Sequence, residues 1–367
     1  MADPLRVTRA QALAWRMRRQ LLEPVGPSTA EDVVRRLTAV PAQSDVDVAL
    51  RTRQQASRAD EVREALADGR ILRTFAFRGA VHLMTPDIAG AYLALRAVGR
   101  QWELPSWQQH YGLAPDDWPD FRSAVREALA EQPLTSQELG AVLVARPRYA
   151  HLAPIFAADP WTLLKALAWQ GDLTLGPTRD GKATFELLAR NPRWAGLPDL
   201  ALAGRQAIEA YVGAYGPTTP HHLQYWLGEG LSAGRRRIQG WLDDLGDRLV
   251  PVTVDGAPAL VLAEHAAELL GTAPTSAVRL LPGYDQWMLG PGTADPGVVP
   301  AAHRPLVSRG ANVVLAGGDL VGTWVVRGDD LTVTPFPDAA PPAPDALDEG
   351  ITRLAAILDR PLRTTVA

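Results

Sequence analysis

The sequence contains no cysteine in its 367 residues. Disulfide bonds, thiol nucleophiles, zinc fingers and cysteine-ligated clusters are therefore excluded. No apolar run approaches the roughly 20 residues that a membrane-spanning helix needs. The arginine-rich start of the chain also lacks the continuous apolar stretch of a secretory signal. Together these absences predict a cytoplasmic protein with no membrane partner.

Lysine is nearly absent too, since Lys165 and Lys182 are the only lysines among 37 basic residues. Arginine recognises phosphates and base edges better than lysine does, but a GC-rich genome also raises the arginine content. The formal net charge is -4, with a basic excess in the first 110 residues and an acidic remainder. This distribution permits nucleic-acid binding without requiring it.

The clearest pattern is a unit of helices followed by a short β-hairpin, and it occurs three times. The three copies occupy residues 29–84, 134–186 and 203–264. Their hairpin turns are Arg78-Gly79, Arg179-Asp180-Gly181-Lys182 and Asp255-Gly256. In the second copy, Thr135 and Glu138 have the spacing of a capping box at the start of a helix. Helices followed by a hairpin are typical of a winged helix.

After about residue 275 the pattern changes to short strands separated by glycine-rich turns. A linker at 337–346 precedes a final helix through Ile351, Leu354 and Leu358. The predicted fold is mainly α with small β elements (α+β): three tandem winged-helix units and a C-terminal β subdomain. The predicted domains are residues 1–110, 111–195, 196–274 and 275–367.

Four segments carry a resemblance to a known family: Val40-Pro41-Ala42-Gln43-Ser44-Asp45, residues 73–83, residues 281–290 and residues 318–324. Over nearly the whole chain the sequence resembles the AlkZ/YcaQ-type DNA glycosylases. The resemblance implies tandem winged helices in a C-shaped arrangement. It also implies excision of N7-alkylated purines, including bulky adducts and cross-links, without a metal or other cofactor. Some members of that family protect producers of DNA-alkylating antibiotics.

The family's catalytic signature is a glutamine, one apolar residue, and then glutamine or aspartate. Gln43 and Asp45 match the aspartate form, and Ser44 replaces the apolar residue. An N7-alkylated guanine is already positively charged, so its glycosidic bond breaks with little acid assistance. The transition state needs a negative group beside the developing oxocarbenium ion and a positioned water. Asp45 can supply the charge and accept a proton, while Gln43 can hold the water.

The same residues have a purely structural interpretation. Ser44 is a good N-cap, and Asp45 and Asp47 would then be first-turn acids favoured by the helix dipole. If both Gln43 and Asp45 face the substrate, Gln43 must precede the helix, because positions two apart on a helix point about 200° apart. We therefore expect Gln43 before the helix and Ser44 at its cap.

The DNA-binding candidates are Arg51, Arg53, Arg78, His82, Lys165, Arg236, Tyr284 and Gln286. Arg78 is at a hairpin tip, from which an arginine can enter a minor groove or bind phosphate. Each candidate has an alternative. Arg78 is also compatible with a solvated turn and Tyr284 with an aromatic plug between domains. A core position for His82 and a solvated helix face for Arg236 are the commoner roles of such residues.

The predicted function is that of a monofunctional DNA glycosylase acting on double-stranded DNA that carries alkylated purines. With no lysine expected near Gln43 and Asp45, water is the predicted nucleophile. The protein is predicted to be a monomer near the nucleoid, with no cofactor and no metal site, because no histidine pair has ligand spacing. Two alternatives remain: a non-catalytic winged-helix regulator, and an interaction scaffold that has lost DNA binding.

Overall fold

The computed structural model describes residues 5–367. The first part of the chain forms a three-stranded sheet in the order β2-β4-β3, with helices α2 to α4 packed around it. Its elements are β1 (Leu5–Val7), α1 (Arg9–Arg19), α2 (Ala30–Leu37), β2 (Val40–Pro41), α3 (Val46–Arg51), α4 (Glu61–Ala67), β3 (Leu72–Phe75) and β4 (Val81–Met84).

The second part repeats the pattern of helices and a small sheet, here in the order β5-β7-β6. Thr135 and Glu138 form the predicted capping box, because each side chain bonds the backbone N–H of the other residue. The elements are α5 (Pro86–Ala97), α6 (Pro105–Tyr111), α7 (Trp118–Ala128), β5 (Leu134–Thr135), α8 (Ser136–Val144), α9 (Ala153–Ala158), α10 (Trp161–Trp169), β6 (Leu173–Leu175) and β7 (Thr184–Leu187).

The third part contains a long buried helix, a π-helical segment at Gln224–Glu229 and a β-hairpin. The strand β1 adds to this hairpin in parallel, with Leu5 opposite Val252, so the first strand of the chain packs with the third part. The elements are α11 (Leu200–Tyr215), α12 (Pro220–Leu223), α13 (Arg235–Leu245), β8 (Leu249–Val254), β9 (Ala257–Leu262) and α14 (Ala266–Leu270).

The last part is the expected β subdomain, a five-stranded sheet in the order β10-β11-β12-β13-β14. Apolar side chains of α1, such as Leu13 and Met17, belong to the core on one face, and α17 belongs to the core on the other. The elements are β10 (Val278–Leu281), α15 (Gln286–Leu289), α16 (Arg304–Val307), β11 (Val313–Ala316), β12 (Asp319–Arg327), β13 (Asp330–Pro335), α17 (Pro344–Leu358) and β14 (Arg363–Val366).

Three hairpin tips share one backbone conformation. At Arg78-Gly79, Asp180-Gly181 and Asp255-Gly256 both residues have positive φ angles, as a tight type I′ hairpin turn requires. All three turns lie where the sequence predicted them. Aspartate tolerates this left-handed region because its short side chain bonds locally. Arginine gains no such compensation, so Arg78 is the unusual residue of the three.

The α+β class is confirmed, while the assignment of three winged-helix units and the four domain ranges stay predictions. The sequence missed α9, whose proline occupies the start of the helix, where proline is tolerated. It also missed β14, a short exposed strand beside β13. One extensive core joins the first three parts and includes Phe77, Tyr92, Tyr211 and Trp226.

Candidate active site

A short loop between β2 and α3 carries Gln43 and Asp45. Pro41 lies opposite His82 in the sheet, and the Ala42 N–H donates to the Val81 carbonyl at 2.9 Å. Gln43 and Asp45 are both exposed, and Ser44 between them is buried. Ala42 and Gln43 form a turn in which the Ser44 N–H donates to the Pro41 carbonyl at 3.2 Å, and the Gln43 and Asp45 side chains are both open to solvent.

Asp45 is the N-cap of α3, and one of its carboxylate oxygens accepts the Val48 N–H at 3.1 Å. The expectation of Ser44 as the cap was wrong by one residue, whereas Gln43 does precede the helix. A carboxylate has two oxygens, and capping occupies Oδ1 only. Within residues 5–367, no ion pair engages Asp45. Asp45 can therefore cap the helix and still offer a negative charge to a ligand.

The neighbouring carboxyl group of Asp47 responds to this charge. Burial raises the pKa of Asp47, and the negative charge of Asp45 raises it further. The two carboxyl groups thus form an acidic helix start, favoured by the partial positive charge of the N-terminus of α3.

Ser44 is buried between the two candidate residues. Its hydroxyl has no hydrogen-bond partner in the described part of the chain, and an unsatisfied buried hydroxyl destabilises a fold by about 1–3 kcal/mol. The family's apolar residue at this position avoids that penalty.

We expect Ser44→Ala to raise the free energy of unfolding by about 1 kcal/mol and to leave excision unchanged. Urea denaturation followed by circular dichroism measures the first effect. A loss of stability would show that the Ser44 hydroxyl bonds a group in solution and that this explanation is wrong.

The hairpin tip at Phe77–Gly79 lies beside the Gln43 loop. Because β2 pairs with β4 and the Ala42 N–H donates to the Val81 carbonyl, the loop begins beside the first residue of the strand that leaves the tip. The Arg78 guanidinium lies over the Tyr225 ring, with its Cζ 4.3 Å from the ring centroid. This cation–π contact and the left-handed backbone hold an exposed cation at the tip.

Tyr225 is a site residue that the sequence did not reveal. It lies in the π-helical segment Gln224–Glu229, where one extra residue per turn breaks the 3.6-residue periodicity. A Cβ at Gly292 would lie 2.8 Å from the Tyr225 Cζ, so only glycine fits there. The sequence signals here are the Tyr225-Trp226 pair and the Pro291-Gly292 pair. Such pairs are too general to identify a site.

Lys165 reaches the same hairpin tip from α10. A Cβ at Gly79 would lie 3.7 Å from the Lys165 Nζ, which also lies 5.7 Å from the centroid of the Phe75 ring. The sequence expected no lysine near the site. The packing of α10 on the first sheet brings Lys165 to the hairpin tip, and the expectation for the surroundings of Gln43 and Asp45 stays a prediction.

His82 is buried beneath the tip. Its Nδ1 lies 3.0 Å from the Ala80 carbonyl, and burial lowers the pKa of His82 to about 4. A neutral ring donates from Nδ1 to that carbonyl, and its edge packs on Phe77 at 5.3 Å between centroids. We therefore assign His82 to the support of the hairpin rather than to DNA contact.

Arg53 cannot contact DNA, because its side chain is 0% exposed. Its two terminal nitrogens bond the Asp285 carboxylate at 2.9 and 2.8 Å, and its Nε donates to the Gln20 carbonyl. Asp285 also caps α15 through the Trp287 N–H. The predicted DNA contact is therefore corrected to a buried ion pair that joins the end of α3 to the β subdomain.

Gln286 and Arg51 are corrected in the same way. Gln286 is 1% exposed and donates to the Ala39 carbonyl, in the segment that leads into β2. Arg51 donates to the Ile357 carbonyl at 2.6 Å and to the Ser57 hydroxyl. Both side chains anchor the segments on either side of Gln43 and Asp45 instead of facing DNA.

The two remaining DNA-binding candidates, Tyr284 and Arg236, lie outside the Gln43 loop. Tyr284 is half-buried with a φ of 61°, and a Cβ at Gly310 would lie 2.5 Å from its ring. This contact lies within the β subdomain, so the aromatic plug between domains stays a prediction. Arg236 is exposed in the first turn of α13 and remains available to phosphate.

Across residues 5–367 no group of three or more metal-ligating side chains is close enough to hold an ion. No helix in the same range is long and apolar enough to cross a membrane.

Comparison with known proteins adds independent findings. Residues 34–357 match the family model for DNA glycosylase AlkZ-like proteins. An interstrand DNA cross-link repair glycosylase from Streptomyces sahachiroi is 41% identical over 338 residues, which are 89% of this chain and 90% of that protein. The solved structure of Streptomyces sahachiroi DNA glycosylase AlkZ superposes with a TM-score of 0.93 at 37% identity, covering 99% of this chain and 100% of that one.

Proposed function

The chain belongs to the AlkZ-like DNA glycosylase family, and we propose that it hydrolyses the N-glycosidic bond of N7-alkylated purines in double-stranded DNA. Its substrates include bulky adducts and the purines of interstrand cross-links. The observation that carries this proposal is that Gln43 and Asp45 are both exposed, two residues apart in one short loop. A protein that only binds DNA has no use for a carboxylate facing an anionic backbone.

In the proposed reaction, the Asp45 carboxylate stabilises the positive charge that develops on the sugar as the base departs. The Gln43 amide holds the attacking water, whose proton passes to Asp45. The bond from the sugar C1′ to the purine nitrogen breaks, and the bond from C1′ to the water oxygen forms. The alkylated base leaves as a neutral species because it began with a positive charge. No metal or cofactor takes part.

Arg78 and Lys165 supply the positive charge that holds the DNA beside this pair. Both cations flank the same hairpin tip, Arg78 at its apex and Lys165 next to Gly79. We assign Lys165 to a phosphate contact, so that water remains the nucleophile. We also propose that the enzyme acts as a monomer in the cytoplasm near the nucleoid, where its DNA substrate lies.

The test is the conversion of a cross-linked duplex to separable strands. An oligonucleotide duplex joined by a defined N7-guanine to N7-guanine link is incubated with the enzyme and resolved on a denaturing gel. We expect the cross-linked species to disappear and single strands carrying abasic sites to form. Persistence of the cross-link at saturating enzyme, with single N7-alkylguanine also untouched, would contradict the proposed function.

We expect Arg78→Gln to weaken binding to all duplexes by a similar factor. The plot of log binding constant against log salt concentration should become shallower by about 0.9, the slope lost with one phosphate contact. Fluorescence anisotropy between low and high salt measures both effects. Arg363→Gln is the matched control, because Arg363 is exposed and pairs with Asp330 in the β subdomain. Equal slopes for Arg78→Gln and the wild type would show that Arg78 makes no phosphate contact.

A further inference from the structure

A second basic region lies between α2, α11 and the segment that follows β9. It is a cleft of about 540 Å³ to which four arginines contribute: Arg19, Arg35, Arg36 and Arg248. None of these belongs to the Gln43 loop or to the hairpin tip at Phe77–Gly79. The cleft is therefore a separate feature from the candidate active site.

The arginines of the cleft differ in their partners. Arg35 pairs with Glu31 and Asp87, and Arg248 pairs with Glu209. Arg19 donates to the Gly213 carbonyl at 2.8 Å. Arg36 forms no ion pair or side-chain hydrogen bond within residues 5–367. Two guanidinium groups of this cleft, Arg19 and Arg36, thus lack a directly bonded carboxylate.

Arg19 and Arg36 line the same cleft, and the positive charge of Arg36 acts on Arg19. Burial, and then the positive charge of Arg36, lower the pKa of Arg19 to about 10 against the charges of Glu268 and Glu264. Burial also lowers the pKa of Arg36, against the opposing charges of Glu268 and Asp32. Like charges held together in a partly buried cleft repel one another. A bound anion would relieve that repulsion.

The rest of the lining is compatible with an anion. Asp32 is engaged with Thr29 at the start of α2, and Glu264 lies 3.6 Å from the His265 ring. The Nδ1 of His265 is buried and has no hydrogen-bond partner in the described chain. Burial, and then the charge of Arg19, lower the pKa of His265. A histidine whose pKa is lowered stays neutral near pH 7 and adds no charge to the cleft.

We propose that this cleft binds a phosphate group through Arg36 and Arg19. The planar guanidinium matches the oxygens of a phosphate in paired hydrogen bonds. The phosphate can come from a free phosphate-bearing molecule or from the backbone of the DNA substrate. The DNA backbone is one source because α2, which carries Arg36, leads through β2 directly into the Gln43 loop. Only the assignment of the phosphate to DNA rests on the proposed function, because phosphate binding at the cleft does not depend on base excision.

The first arm of the test measures inorganic pyrophosphate binding by isothermal titration calorimetry at constant ionic strength. The wild type should bind, and Arg36→Gln should bind at least about tenfold more weakly, the loss expected for a charge-assisted hydrogen bond. Arg18→Gln is the matched control. Arg18 neighbours Arg19 on α1 but pairs with Glu268 and does not line the cleft.

The second arm measures the salt dependence of binding to an undamaged duplex. If the DNA backbone occupies the cleft, Arg36→Gln should flatten the log–log slope by about 0.9, while Arg18→Gln leaves it unchanged. A flattened slope supports the DNA source, and weaker pyrophosphate binding with an unchanged slope supports a free ligand. If Arg36→Gln matches the wild type in both arms, the proposal is overturned.

These outcomes stay separate from those of the proposed function. Failure to excise N7-alkylguanine would leave the pyrophosphate arm intact. Loss of Arg36 removes a repulsive charge and no described hydrogen bond, so the variant should fold. Its thermal unfolding curve confirms this before either arm is run. A second variant, Arg19→Lys, keeps the positive charge but removes the planar fork, and it should weaken pyrophosphate binding in the same direction.

Discussion

Asp45→Asn is expected to slow the excision of N7-alkylguanine by about 10²–10³, the loss typical of one electrostatic group aimed at a transition state. The substitution removes the negative charge beside the developing oxocarbenium ion. It also removes the group that accepts the proton from water. Duplex binding should survive or improve, since a negative charge facing phosphate is lost. Single-turnover kinetics at saturating enzyme separate the chemical step from binding.

This variant is well matched to the structure. Asparagine caps a helix as well as aspartate does, so the hydrogen bond from the Val48 N–H to residue 45 can persist. Asp47→Asn is the control, because Asp47 lies in the same helix turn and senses the charge of Asp45. We expect Asp47→Asn to retain most of the excision rate. If Asp45→Asn excises the adduct at the wild-type rate, Asp45 serves only as a helix cap.

Arg53→Met is expected to lower the free energy of unfolding by about 3–5 kcal/mol, because removing one partner leaves a buried charge uncompensated. The Asp285 carboxylate is 1% exposed and receives two hydrogen bonds from Arg53. Methionine fills the space of the arginine stem but cannot donate to the carboxylate. Urea denaturation with an unchanged m-value measures the loss.

A second variant isolates the charge from the packing. In Arg53→Met with Asp285→Asn, the neutral amide oxygen can still accept the Trp287 N–H that Asp285 accepts in the native protein. The double variant should therefore recover part of the stability lost by Arg53→Met alone. If Arg53→Met destabilises the protein by less than about 1 kcal/mol, the buried pair is not what joins α3 to the β subdomain.

Local patterns in the sequence predicted the local parts of this structure. The Thr135–Glu138 capping box and the three hairpin turns depend on residues close together in the chain. The loop of Gln43 and Asp45 also came from a short motif. The cap was displaced by one residue, because serine and aspartate are comparable N-caps and sequence alone does not rank Ser44 against Asp45.

The long-range parts could not be predicted in this way. Arg53 and Asp285 are 232 residues apart, so no periodicity links them, and each alone looks like an exposed charge. The approach of Lys165 to Gly79 depends on how α10 packs on the first sheet. The contact of Tyr225 with Arg78 depends on a π-helical segment that ordinary helical spacing does not describe.

The most direct test of the account uses a duplex with one N7-methylguanine, incubated with excess enzyme and then cleaved by alkali at abasic sites. The wild type should release the base in stoichiometric amount and leave the strand intact until alkali is added. The double variant Gln43→Ala with Asp45→Asn should bind the duplex and release almost no base. Intact N7-methylguanine after incubation with the wild type, or equal release by the double variant, would contradict the account.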